Sequence, residues 1–261
     1  MSDIEANPNR IIPGRAGMGN VGTTWPLLAV FMRLVFALLA QGLVALVFFG
    51  HGRADIVAAG HWWPVYAFLI DAGCFGVIAW RAGKEGVRFA EIISFEPKRF
   101  GRDLLKGAGY VVWVFPLAMA GILGCSLLLF GSFQPPSVYA KLPAGAAWYS
   151  LIVFPALWGL MEQTTYNGYC LPRLEALTRS RAIAVAVVAF GWGIQHIALP
   201  FTFDVRFMLF RFLSFLPLAV AMALVYLRTR RLIPFVVAHW AVDMFGILTG
   251  IVLPMLMKTA G

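Results

Sequence analysis

Seven apolar runs of about twenty residues each occupy most of this chain, and a chain so built has few folds open to it. A helix rises about 1.5 Å per residue, so about twenty residues cross a hydrocarbon core. Lipid offers no partner to a backbone N–H or C=O, so a spanning segment must be a helix or part of a closed barrel. The runs fall at about 26–49, 62–80, 108–131, 146–171, 182–200, 207–228 and 234–257. The chain is 61% hydrophobic and 13% charged, against about half and about a quarter for a soluble domain. The expected fold class is therefore all-α: a polytopic membrane helical bundle of about seven transmembrane helices plus an interfacial amphipathic segment. The first run is too long for a cleaved signal core, and residues 1–24 show no small-residue cleavage site, so the run is expected to remain as a span.

The net charge of +9 does not point to nucleic acid, because the basic residues sit in alternate loops. Arg10 and Arg15, the connection from Arg81 to Lys106, the turn with Arg173, Arg179 and Arg181, and the turn with Arg228, Arg230 and Arg231 hold fifteen of them. The other side holds four: Arg53, Lys141, Arg206 and Lys258. The positive-inside rule then places the N-terminus in the cytoplasm and, with an odd span count, the C-terminus outside. The expected location is the cytoplasmic (inner) membrane of a bacterium. A reporter fused at Gly261 should be active only outside, and a fusion active only in the cytoplasm would contradict this orientation.

Residues 1–25 read as a polar tail. Residues 26–140 read as a three-span N-terminal part, and 141–261 as a four-span core, with the break near Pro135 and Pro136. Within the first part, 82–107 intersperses Phe89, Ile92, Ile93, Phe95, Phe100, Leu104 and Leu105 with charges. It is expected to lie on the anionic inner leaflet as two short helices broken at Pro97, as a substrate platform or as a solvated connector. Cys74, Cys125 and Cys170 have no disulfide or metal spacing and read as small core residues.

Ionisable groups inside apolar runs are costly and tend to face a protein interior or a water-filled cavity. Arg33 and Asp71, on the first two spans, are expected to form a structural ion pair. Arg211, near the end of its span, is expected to snorkel to the interface. Glu162, His196, His239 and Asp243 remain, on three further spans. His239 and Asp243 are four apart and can point at one centre, as can Glu162 with Tyr166 and Gln163 with Asn167. One Glu, two His and one Asp can do hydrolytic chemistry, and such groups also build proton relays.

At these residues the chain resembles the CPBP group of intramembrane endopeptidases, which includes type II CAAX prenyl endopeptidases and bacteriocin-processing or immunity relatives. The family's Glu-Glu-x-x-x-Arg stands here as Glu162-Gln163-x-x-x-Asn167. Its aromatic-x-x-x-His stands as Trp192-x-x-x-His196, and its His-x-x-x-Asn/Asp as His239-x-x-x-Asp243. The resemblance covers about residues 146–250. It departs at Gln163 and Asn167, where an acid and a base of the family pattern are both neutral amides. Losing both charges together leaves no buried charge unpaired and permits an amide–amide hydrogen bond.

The resemblance implies a peptide hydrolase acting on a membrane-embedded protein or peptide, with membrane lipids as its surroundings. In that reading Glu162 and His196 activate a water, and His239 with Asp243 stabilise the oxyanion or hold a metal. Gln163, Asn167, Tyr166 and Trp192 support them. An ionised Asp243 cannot donate to an oxyanion, so it fits better as a ligand or as the group charging His239. Zinc on Glu162, His196, His239 and Asp243 is one expectation, and a metal-free glutamate mechanism is the other. Two further readings are a catalytically silent immunity or scaffold protein and a small proton-coupled transporter, the latter without the internal repeat common in that class.

Overall fold

The computed structural model describes residue 22, residues 24–139 and residues 141–259. The polar tail, with Arg10 and Arg15, lies outside the described residues. The described residues are helical with no strand, and seven helical stretches are long and apolar enough to cross a membrane. They are 24–48, 63–84, 89–130, 144–178, 181–198, 205–229 and 233–257.

The first span is α1 (Thr24–Phe48). Its lipid face is plain from burial: Leu28, Val35, Leu39, Leu43, Leu46 and Val47 are exposed, while Val30, Arg33, Ala37 and Gln41 are buried. A short α2 (Arg53–Gly60), not expected from hydropathy, leads into α3 (Trp63–Lys84). The segment 82–107 then forms α4 (Phe89–Ile92) and a 3-10 turn over Pro97–Arg99, before α5 (Phe100–Phe130) begins. The long helix thus starts well before the apolar run itself, carrying Arg102, Asp103 and Lys106 on its first two turns. Asp103 is satisfied there by Arg231, which also reaches Glu96. Gly131 ends α5 in the left-handed conformation (φ 69°), which a side chain would resist.

The fourth span is composite: α6 (Ala144–Ile152), α7 (Phe154–Gln163), a π-helical stretch Thr164–Cys170, and α8 (Leu171–Thr178). Then follow α9 (Arg181–Gln195), a 3-10 turn His196–Ala198, α10 (Val205–Thr229) and α11 (Ile233–Ile247). A second π stretch, Leu248–Val252, joins α11 to α12 (Leu253–Thr259). Side-chain caps start two of these helices: Ser180 accepts from Ile183 N–H, and Asp204 from Arg206 and Phe207 N–H.

The two ends of the bundle are tied differently. On the side of the basic loops Arg173 is buried against Glu85, Arg230 pairs with Glu175, and Arg231 bridges Glu96 and Asp103. The bonds to Glu85, Glu96 and Asp103 dock 82–107 onto the last four spans, and Arg230–Glu175 ties those spans together. Ile92, buried, packs against Gly168, where an added Cβ would meet its side chain at 3.0 Å and its carbonyl oxygen at 3.3 Å. On the other side Gln41 holds the 52–60 and 199–204 segments. Its Nε2 donates to Ile56 and Phe201 carbonyls at 2.8 Å, and its Oε1 accepts from Phe201 N–H at 3.0 Å.

Candidate active site

The site is built on the fourth span where its helix changes winding. Thr164 and Thr165 turn their hydroxyls back onto the Leu160 and Met161 carbonyls, at 2.6 and 2.7 Å. Those bonds occupy acceptors at the junction with the wider π turn, and Leu171 N–H reaches back to Tyr166 O, five residues away. Glu162 and Gln163 are the last residues of regular α-helix before that turn, and both are fully buried.

Glu162 is held from two directions. Its Oε1 accepts from Gln195 Nε2, and its Oε2 lies 3.0 Å from His239 Nε2. His239 Nε2 is also 3.4 Å from Asp243 Oδ2, one helical turn along α11. The far side of the imidazole is set by the two amides. Asn167 Nδ2 donates to Gln163 Oε1 at 2.7 Å, which turns Gln163 Nε2 toward His239 Nδ1 at 3.1 Å. With Nδ1 accepting, the ring proton sits on Nε2, between the two carboxylates. Asn167 Oδ1 is left buried without a partner.

His196 begins the 3-10 turn after α9. Its Nδ1–H donates to Trp192 O at 2.8 Å, and its ring stacks on Phe215 with centroids 4.1 Å apart. Its Nε2 is therefore a lone-pair acceptor. Trp192 stacks on Tyr166 at 5.6 Å and tilts against His239 at 6.0 Å, while the Tyr166 hydroxyl donates to Gly191 O at 3.1 Å. Tyr166 thus props the aromatic wall behind His239 through Trp192, and its hydroxyl bonds Gly191 O and not Glu162.

A cavity of about 60 Å³ collects these side chains, lined by His196, His239, Asp243, Trp158, Trp192 and Arg211 among others. It has room for a few waters. Glu162 is not on its wall: His239 stands between the carboxylate and the cavity. A wider cavity of about 420 Å³ adjoins it, sharing Tyr139, Arg211, Phe215, Val242 and Asp243, and extends between α5, α10 and α11 under the 135–139 loop.

Sequence reasoning missed two partners. Gln195, the residue before His196, bonds Glu162. Its orientation comes from Arg33, whose Nε donates to Gln195 Oε1 at 2.9 Å, and whose Nη1 donates to Asp71 Oδ1 at 3.0 Å. Arg33 also lies over the Trp158 ring at 4.1 Å. The Arg33–Asp71 pair is present as expected, but it is also wired to the site. Arg211 does not snorkel to the interface; it is buried and lines the cavity. A single basic residue near a span end gives no sign of which way its stem turns.

The described residues thus form an all-helical bundle in which Glu162 meets His239 and Asp243 beside a cavity that His196 also lines. Residues 144–245 match the family model described as Type II CAAX prenyl endopeptidase Rce1-like, and this segment, which holds all three motifs, is of the CPBP type. The first three spans lie outside the match. No curated protein and no solved structure matches the chain.

The paired amides at 163 and 167 give a prediction. Gln163→Glu alone should lower the melting temperature, because a second buried carboxylate then stands one residue from Glu162. Adding Asn167→Arg should recover most of the loss. Equal melting of the single and double variants in detergent would show the two positions uncoupled.

Proposed function

We propose that the protein is an intramembrane endopeptidase that hydrolyses a peptide bond in a membrane-embedded protein or peptide. The observation that carries this reading is the convergence of Glu162, His239 and Asp243 within 3.4 Å contacts, beside a cavity that His196 also lines. In this reading His196 Nε2, the open acceptor, takes a proton from a cavity water. The water oxygen attacks the scissile carbonyl carbon, and the carbonyl π electrons move to its oxygen. The intermediate then breaks its C–N bond, and the proton passes to the leaving amine. Glu162 works from behind: it fixes His239 and supplies negative charge to it, and Asp243 completes the clamp.

The donor set supports the glutamate mechanism over zinc. His239 Nε2 carries its proton toward Glu162 and Asp243, so it offers no lone pair to a metal in this arrangement. Among the described residues no group of three or more His, Cys, Asp or Glu is placed to hold one. Zinc on Glu162, His239 and Asp243 would require the Gln163 and Asn167 amides to turn over, moving the ring proton to Nδ1. Hydrolysis of a quenched membrane-peptide library should therefore survive exhaustive chelation. Loss on chelation, restored by zinc, would favour the metal reading. No cleavage of any library member by folded protein would favour a silent immunity or scaffold role, and ion-coupled uptake by proteoliposomes a transporter.

A further inference from the structure

Arg211 sits two turns into α10 and is only 7% exposed. Its guanidinium makes no hydrogen bond or ion pair with any described residue, and its Nε is buried without a partner. The Phe215 ring on which His196 stacks lies 5.1 Å away, and Tyr139 and Asp243 act on the guanidinium electrostatically without a hydrogen bond. It lines both the small cavity, with His196, His239 and Asp243, and the wider one beside it. Arg33, another buried cation, by contrast donates from Nε to Gln195 and from Nη1 to Asp71, with only Nη2 left without a partner. A buried cation without a hydrogen-bonded anion is costly unless something else in the cavity meets it.

The proposed hydrolysis lacks one part. A tetrahedral intermediate needs donors aimed at its oxyanion. Asp243 as a carboxylate cannot donate; His239 Nδ1 accepts from Gln163, and its Nε2 stands against the Glu162 and Asp243 carboxylate oxygens, 3.0 and 3.4 Å away, which have no other hydrogen-bond partner. His196 Nδ1–H is spent on Trp192 O. The N–H groups of Arg211 are the cationic donors on the cavity wall that remain unspent, and a guanidinium presents them in a rigid fork.

We infer that Arg211 is the oxyanion-binding residue of this site, taking the negatively charged oxygen of the tetrahedral intermediate that an aspartate at position 243 cannot take. This rests on the hydrolytic reading above. As the water oxygen bonds to the carbonyl carbon, the carbonyl oxygen gains the displaced electron pair, and Arg211 N–H groups receive it. When the C–N bond breaks, that pair returns to the carbonyl and the leaving nitrogen takes the proton held by His196.

The test uses the full chain in detergent and two readouts. With a cleaved peptide, Arg211→Gln should lower kcat by about 10²–10³-fold with KM little changed, and Arg211→Lys should restore part of the loss. A peptidyl phosphinate, anionic and tetrahedral, should bind the wild type at least about 10²-fold more tightly than the peptide of the same sequence. Arg211→Gln should abolish that preference. Unchanged kcat, an effect confined to KM, or a phosphinate preference indifferent to Arg211 would overturn the inference. If Arg211→Gln does not fold, the wild-type preference and the Lys variant decide, and a wild type binding phosphinate and peptide alike overturns it unaided. If the wild type cleaves nothing yet shows the Arg211-dependent preference, the hydrolase reading fails while the anion site stands.

Discussion

Glu162→Gln is expected to lower peptide hydrolysis by at least about 10²-fold while the protein stays folded. The substitution keeps shape and one accepting oxygen, enough for Gln195 or His239 but not both, and removes the charge. It also introduces an NH₂ that can point at His239 Nε2–H, where two donors would oppose each other. The imidazole then loses the partner that fixes its proton, and with it the arrangement around Asp243. Because Glu162 is behind His239, the loss should appear in kcat rather than in substrate affinity. Wild-type kcat in Glu162→Gln would remove Glu162 from the mechanism. Asp243→Asn is the companion measurement. It should weaken activity, because it removes a charge that faces the His239 Nε2–H; neutral or better activity would show that residue 243 serves as an oxyanion donor.

Arg33→Met should destabilise the protein by about 3–5 kcal/mol, because it strands Asp71 as a buried carboxylate. Asp71 is 5% exposed and its other oxygen already lacks a partner, so no neighbour can replace the guanidinium. Pairing the change with Asp71→Leu should recover most of the stability. Activity should not return with it. Arg33 Nε is what turns the Gln195 carbonyl away from Glu162, and without it the amide is free to present oxygen to the carboxylate. A double variant that regains both stability and full hydrolysis would reduce the Arg33–Asp71 pair to a structural role. Thermal melts and turnover measured on the same preparation decide between them.

The membrane architecture was legible because hydrophobic length is a direct consequence of lipid thickness. The convergence of Glu162, His239 and Asp243 could be anticipated from their burial inside apolar runs and from the four-residue spacing on α11. The π turn at Thr164–Cys170 left no sign that hydropathy could register. It carries two threonine hydroxyls bonded back one turn and a close approach of Ile92 at Gly168. Gln195 and Arg33 were invisible as site residues for a different reason. Their roles exist only once α1, α7 and α9 are brought together, and no spacing within one helix encodes that. Arg211 was misread because a long cationic stem can reach either the interface or the interior, and only neighbouring helices decide which.

The most direct measurement is proteolysis in H₂¹⁸O by the purified full-length protein in lipid nanodiscs, with membrane-embedded peptides as substrate and mass spectrometry of the fragments. A peptide hydrolase must place one oxygen from water on each new C-terminal carboxylate, and the Glu162→Gln variant must not. Fragment pairs are expected with the wild type alone, the member bearing the new C-terminus carrying ¹⁸O and its partner unlabelled. Intact peptides after prolonged incubation with folded wild-type protein, or labelled fragments formed equally by Glu162→Gln, would contradict it.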